Sequence, residues 1–222
     1  MTKRVPAPWD LTGDGYIILY RFQREFVEKN GFVSPEMLSR YKGGFGLVML
    51  ANYISSTAGP YQELLFMPGT FSHEGKAYFC ISKIYVSTME SVVNGRENWG
   101  IPKELADFNF QKIKDRTERV SVSVNGRTCL DITLFSRRFY IPISTSLYPL
   151  PLMHNLEGKS FFTSFKGRGY GKLAKIINVT ADSALFPDIA QCRPWYVKRI
   201  ENFQITFPVA KIISGNQGKW GC

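Results

Sequence analysis

The chain has 222 residues with a net charge of +10, and it is 44% hydrophobic and 14% aromatic. That composition is ample for a buried core and excludes a disordered polypeptide. No run reaches the roughly 18 apolar residues of a membrane span, and the opening MTKRVPAPWD lacks the apolar block of a secretory signal, so a soluble cytoplasmic protein is expected.

In chain order, short runs rich in Val, Ile, Tyr and Phe recur between Gly, Pro and Asn: YIILYR, FGLVMLANYIS, YQELLF, KAYFCISKIYV, RVSVSV, TCLDITL, KSFFTSF and FQITF. Such runs predict strands. Asn125-Gly126 stands between two alternating runs and predicts a tight antiparallel hairpin. Helices are expected in three places. The first is RFQREFVEKNGF, with Phe22 and Phe26 on one face and Gly31 as its stop. The second is SPEMLSRYKGG, with Ser34 as cap, Pro35 in the first turn and Gly43 beyond the end. The third begins at a capping box of Ser87 and Glu90, carries a stripe of Met89, Val92 and Val93, and is stopped by Gly100 and Pro102.

Many strands without helical alternation predict a mainly β fold closed as an antiparallel barrel or sandwich, in one domain over residues 1–222 with a loose tail from about residue 214. The Pro-rich segment Tyr140–Asn155 is expected to be a packed connection inside that domain, and GRGYGK at 167–172 a basic turn. The basic residues are scattered, which predicts no nucleic-acid partner and fits long-range attraction of small carboxylates. Cys80, Cys129, Cys192 and Cys222 lie far apart, so neither a zinc site nor a redox pair is indicated. With only His73 and His154 as histidines, a histidine-built metal site is not expected.

The stretch NGRENWGIPKEL at 94–105 carries the chemistry. Lys103 emerges from a stiff turn after Pro102. A lysine attacks a ketone only as the free amine, which burial or a neighbouring cation favours. Trp99 and Ile101 offer apolar surroundings. Arg96 falls on the Met89–Val92–Val93 stripe and either supplies charge and a carboxylate clamp or forms an ion pair with Glu97, Glu90 or Glu63.

The pattern of Gly95, Arg96, Glu97, Pro102, Lys103 and Leu105 resembles the signature of the acetoacetate decarboxylase family, and Tyr61-Gln62-Glu63 resembles that family's Tyr-x-Glu segment. The likeness extends more weakly from about Tyr16 to Ile213. It implies a barrel-like antiparallel cone, a homo-oligomer and no cofactor or metal. It also implies Schiff-base lyase chemistry on a small keto acid, with Lys103 as nucleophile and Glu63 as proton carrier. Tyr61, Arg96 and Trp99 are expected to shape the substrate site, together with Glu104, which stands where the family has a second lysine. Decarboxylation, aldol or dehydration chemistry on the same lysine, and non-catalytic keto-acid binding all fit the resemblance.

Overall fold

Alternating burial governs most of the chain: in Trp9–Tyr20 it follows the two-residue period of a strand, with buried residues facing the core at nearly every second position. The computed structural model describes residues 2–144 and 150–214. In order, its elements begin with β1 (Trp9–Tyr20), α1 (Arg24–Asn30), α2 (Pro35–Ser39), β2 (Tyr41–Gly43), β3 (Gly46–Ser56) and β4 (Tyr61–Met67). Next come β5 (Thr70–His73), β6 (Lys76–Phe79), β7 (Lys83–Val86), α3 (Met89–Trp99), β8 (Lys103–Leu105), β9 (Asp107–Lys114) and β10 (Thr117–Val124). The chain continues through β11 (Arg127–Ser144), β12 (Pro151–Leu156), β13 (Lys159–Ser164), β14 (Lys166–Ala181), β15 (Tyr196–Phe207) and β16 (Lys211–Ser214).

One sheet has the strand order β8-β7-β4-β3-β1-β15-β14-β11-β10-β9 and curls into a half-barrel; the second runs β16-β13-β12-β6-β5-β2. Pairing is antiparallel except for β7 with β8 and the single bridge between β6 and β12. The mainly antiparallel, barrel-like fold expected from the sequence is present. So is the β10–β11 hairpin, where Asn125 and Gly126 both take positive φ, the backbone twist a two-residue turn requires.

Several local expectations need correction. GRGYGK is not a turn: it opens the sixteen-residue β14, which pairs with both β11 and β15. Its glycines serve close packing, since a Cβ on Gly171 would lie 2.1 Å from Cδ1 of Ile143. KAYFCISKIYV is not one strand either. It bends at Cys80–Ser82 and passes from the second sheet to the first, with Ser82 held by bonds to Phe66 O and Gly31 O. The second helix ends at Ser39 and not near Gly43, because Tyr41 is buried and enters a ladder with Phe71.

The third helix is capped by Thr88, whose side chain accepts from Ser91 N, while Ser87 Oγ accepts from Gln62 N. Its buried face comprises Ser91, Val92, Asn94, Gly95 and Trp99; Met89 and Arg96 are exposed. Hydrophobic periodicity misassigned this face because the polar Ser91 and Asn94 turn inward to meet partners. Cys80 is disulfide-bonded, which its spacing did not suggest, whereas Cys129 and Cys192 are free thiols. The expected loose tail lies outside the described residues, apart from residue 214 in β16, as does the middle of the Pro-rich connection. No helix among the described residues is long and apolar enough to cross a membrane.

Candidate active site

Each residue of Asn94-Gly95-Arg96 has a separate part in placing Lys103. Asn94 accepts from Val5 N at 2.6 Å and donates to Lys3 O at 2.9 Å, fastening the segment before β1 along α3. Asn98 reinforces this by donating to Val5 O at 2.9 Å. Gly95 leaves room for the lysine, since a Cβ there would sit 2.6 Å from Cδ of Lys103. Arg96 donates from Nε to the Lys103 carbonyl at 2.9 Å. The helix then ends at Gly100 in the left-handed conformation (φ 64°), which glycine adopts without steric penalty. Pro102 follows, and Lys103 opens β8 in parallel register with Ile84.

From there the side chain turns inward and is only 4% exposed. An ammonium has three hydrogens to donate, and Nζ has three acceptors: Glu63 Oε2 at 3.0 Å, Ser91 Oγ at 3.0 Å and the Tyr61 hydroxyl at 3.4 Å. The rings of Tyr61 and Trp9 lie 5.0 and 5.8 Å from it. Glu63, 5% exposed, accepts in addition from Tyr53 OH at 3.0 Å and from Tyr61 OH at 3.5 Å. Burial first, and then the Glu63 charge, hold both phenols well above their ordinary pKa. They therefore remain protonated donors across the physiological range.

Lys103, Glu63, Tyr61 and Tyr53 form one polar patch on the wall of a cavity of about 140 Å³, and Ser91 supports Lys103 from behind that wall. Sheet alternation explains how the patch faces inward. On β4, Tyr61, Glu63, Leu65 and Met67 share one face, and the β3 register sets Tyr53 opposite Tyr61. The rest of the wall is almost wholly apolar, with Trp9, Leu11, Met49, Trp99, Ile200 and Ile205 among its contributors.

The structure thus brings together Lys103, Glu63, Tyr61 and Trp99, and Trp99 is fixed by its indole N–H donating to Pro208 O at 2.7 Å. It does not bring in Arg96, which is exposed and spends its Nε on the backbone, so neither the carboxylate clamp nor the buried ion pair forms. Glu104 is also outside the cavity. Next to Lys103 in a strand, it points to the opposite face and pairs with Lys83 at 2.6 Å.

Sequence reading missed Ser91, Tyr53 and Trp9. Ser91 was readable as the residue one turn before Gly95 on the same helix face. Tyr53 required pairing YIS with YQE in register, and Trp9 is placed by a tether that no periodicity reveals.

No curated protein matches the sequence. Among solved structures, the chain resembles acetoacetate decarboxylase from Legionella pneumophila at a TM-score of 0.66 and 16% identity, covering 94% of this chain and 88% of that one. It resembles the enduracididine biosynthesis enzyme MppR, complexed with pyruvate, at 0.62 and 14%, covering 93% and 90%. An acetoacetate decarboxylase-like enzyme from Sphingomonas wittichii RW1 gives 0.63 and 9%, covering 94% of each chain. At these identities the structures show a shared fold. The family model described as acetoacetate decarboxylase matches residues 2–150, two thirds of the sequence and all of the polar site just described, and the chain belongs to that family.

Proposed function

We propose that the protein is a lyase that forms a Schiff base between Lys103 and a small keto acid, and that it acts as a decarboxylase whose substrate differs from acetoacetate. The observation that carries this reading is the buried Lys103–Glu63 pair on the wall of a cavity. A lysine whose only task was solubility would not be folded under a helix with every donor occupied.

The chemistry follows from the contacts. Glu63 takes a proton from the ammonium across 3.0 Å, leaving the amine lone pair free to attack the ketone carbon. The carbinolamine loses water, with the protonated Glu63 or the Tyr61 hydroxyl as the proton source, to give an iminium. That cation draws in the electron pair of the bond to the carboxylate carbon, releasing carbon dioxide and leaving an enamine. Protonation at carbon and addition of water then return the ketone product and the free lysine. Apolar walls favour the step in which charge on the carboxylate is lost.

Aldol or dehydration chemistry on the same lysine is the second reading. It is favoured by Glu63, placed to remove a proton beside the iminium carbon, and by the absence of Arg96 as a carboxylate clamp.

Borohydride trapping with acetoacetate, pyruvate and other 2- and 3-keto acids tests the first reading, with the modified peptide identified by mass spectrometry against Lys103→Ala. An adduct confined to Lys103, with carbon dioxide release in the unreduced reaction, is expected. An adduct without carbon dioxide, but with consumption of an added aldehyde, supports the second reading. No adduct from any acid rejects both.

A further inference from the structure

The cavity is larger and more apolar than a four-carbon substrate requires. At about 10–15 Å³ for each water centre, 140 Å³ holds about ten waters, or about 300 Å³ of displaced liquid. Acetoacetate, with seven non-hydrogen atoms, leaves part of that space unfilled.

The surplus space continues along the strands on both sides of the polar patch. Towards one side, Glu63 is followed on β4 by Leu65 and Met67, with Met49 opposite Leu65 and Leu47 opposite Met67. At about 3.3 Å per residue this apolar run extends about 13 Å beyond the carboxylate. On the other side of the Tyr53–Tyr61 pair, Leu11 and Ile205 face each other across β1 and β15. Among the described residues, the cation on the wall apart from Lys103 is Arg168, exposed and held by Gln204 Oε1 at 2.7 and 2.9 Å. Neither apolar run offers a polar substituent a buried partner, and a hydroxyl or charge placed there would lose its water without replacement.

We infer that the substrate is a 3-keto acid whose carbonyl meets Lys103 and whose far end is a straight hydrocarbon tail of about four to eight carbons. This rests on the Schiff-base reading above and adds the substrate class to it. The polar patch recognises the keto head and the apolar runs recognise the tail, so affinity follows tail length until the cavity is full.

The test uses methyl ketones, the decarboxylation products of successive 3-keto acids, which form the same iminium without decomposing. Acetone, 2-pentanone, 2-heptanone and 2-nonanone are trapped on the full chain with borohydride, and the concentration giving half-maximal labelling of Lys103 is measured. Each added methylene is expected to lower it about three- to fourfold, so that 2-heptanone labels at a concentration about 100-fold below acetone. Met49→Trp and Ile205→Trp narrow the cavity from its two sides, and at least one is expected to shift the preference back to the shorter ketones.

A parallel calorimetric titration of Lys103→Met with 1-octanol reads the tail site without the lysine. Equal labelling by acetone and 2-heptanone, or a length preference that survives both tryptophan variants, overturns the tail assignment and leaves Lys103 as a nucleophile. Octanol binding with no ketone trapped at any length overturns the Schiff-base reading, and the keto head falls with it.

Discussion

Gly95 contributes by having no side chain. Alanine there would press on Lys103 Cδ and Cε, at 2.6 and 2.9 Å, and shift the amine away from Glu63, Ser91 and Tyr61. Gly95→Ala is expected to slow borohydride trapping about tenfold or more, since small misplacements of a reacting group are expensive. The helix itself should tolerate the change, because alanine is favoured over glycine there by about 1 kcal/mol. A melting temperature held near the parent value together with slow labelling is the expected pair of results; a large fall in both would show that the glycine serves packing instead.

The Lys103–Glu63 pair makes a second residue-scale prediction. Lys103→Met strands a buried carboxylate and Glu63→Leu strands a buried ammonium, each costing about 3–5 kcal/mol. The double variant is expected to lose clearly less than the sum in a denaturant cycle. Additive losses would mean that the two groups do not interact.

His154 lies outside the Lys103 cavity but sets a pH response. Fully buried on β12, it accepts from Ile81 N at 3.0 Å, and burial pushes its pKa down to about 3. Its ordinary value is about 6.5, so between the two the unfolded chain takes up a proton that the folded chain refuses. Stability is therefore full above about pH 6.5 and falls by up to about 1.4 kcal/mol per pH unit down to pH 3. His154→Gln retains an acceptor for Ile81 N and removes the titration, so its stability should fall less steeply over that window. An unchanged slope would assign the acid sensitivity to other groups.

Among the elements, α3 carries the most information per residue. Asn94→Ala releases Val5 N and Lys3 O, and at about 1–3 kcal/mol for buried polar groups left unmet it is expected to free the segment before β1 from the helix. Faster amide exchange over residues 3–8, together with a change in tryptophan emission as Trp9 leaves its edge-on contact with Trp99, would report it. Unchanged exchange would show that Asn98 and the Trp9 packing suffice.

Elements whose signal is local were legible in sequence: the β10–β11 turn, the Gly100 stop, and the strands read from alternation. The pairing of Lys103 with Glu63 was anticipated through family likeness and not through periodicity. What escaped has a common cause. Gly167–Lys172 reads as a turn because glycine tolerates many conformations, yet here glycine permits close packing within a strand. Ser91 and Asn94 read as a solvated face because inward polar groups become favourable only when a partner arrives from elsewhere in the chain. Arg96 was assigned to the site from the Met89–Val92–Val93 stripe, but the helix buries the face of Ser91 and Asn94 instead; Glu104 was assigned from its place beside Lys103, and the strand period sends that neighbour the other way.

For the whole molecule, the half-barrel and α3 bring together groups from four separate stretches around residues 9, 53–63, 91 and 103. Long-range pairing of this kind makes the cavity a product of the finished fold, absent from any fragment of it. The homo-oligomer implied by family likeness is tested by light scattering, where a mass above the 25.3 kDa of one chain is expected and a mass equal to it would reject assembly.

The strap formed by residues 3–9 has a practical consequence. Trp9 lies over the Lys103 amine, and the backbone leading to it is held by two asparagines of α3. A cut or a bulky substituent within this strap would then disturb the surroundings of Lys103 from outside the cavity. Preparations that differ only in the state of this strap would then trap ketones at Lys103 at different rates with Lys103 and Glu63 both intact.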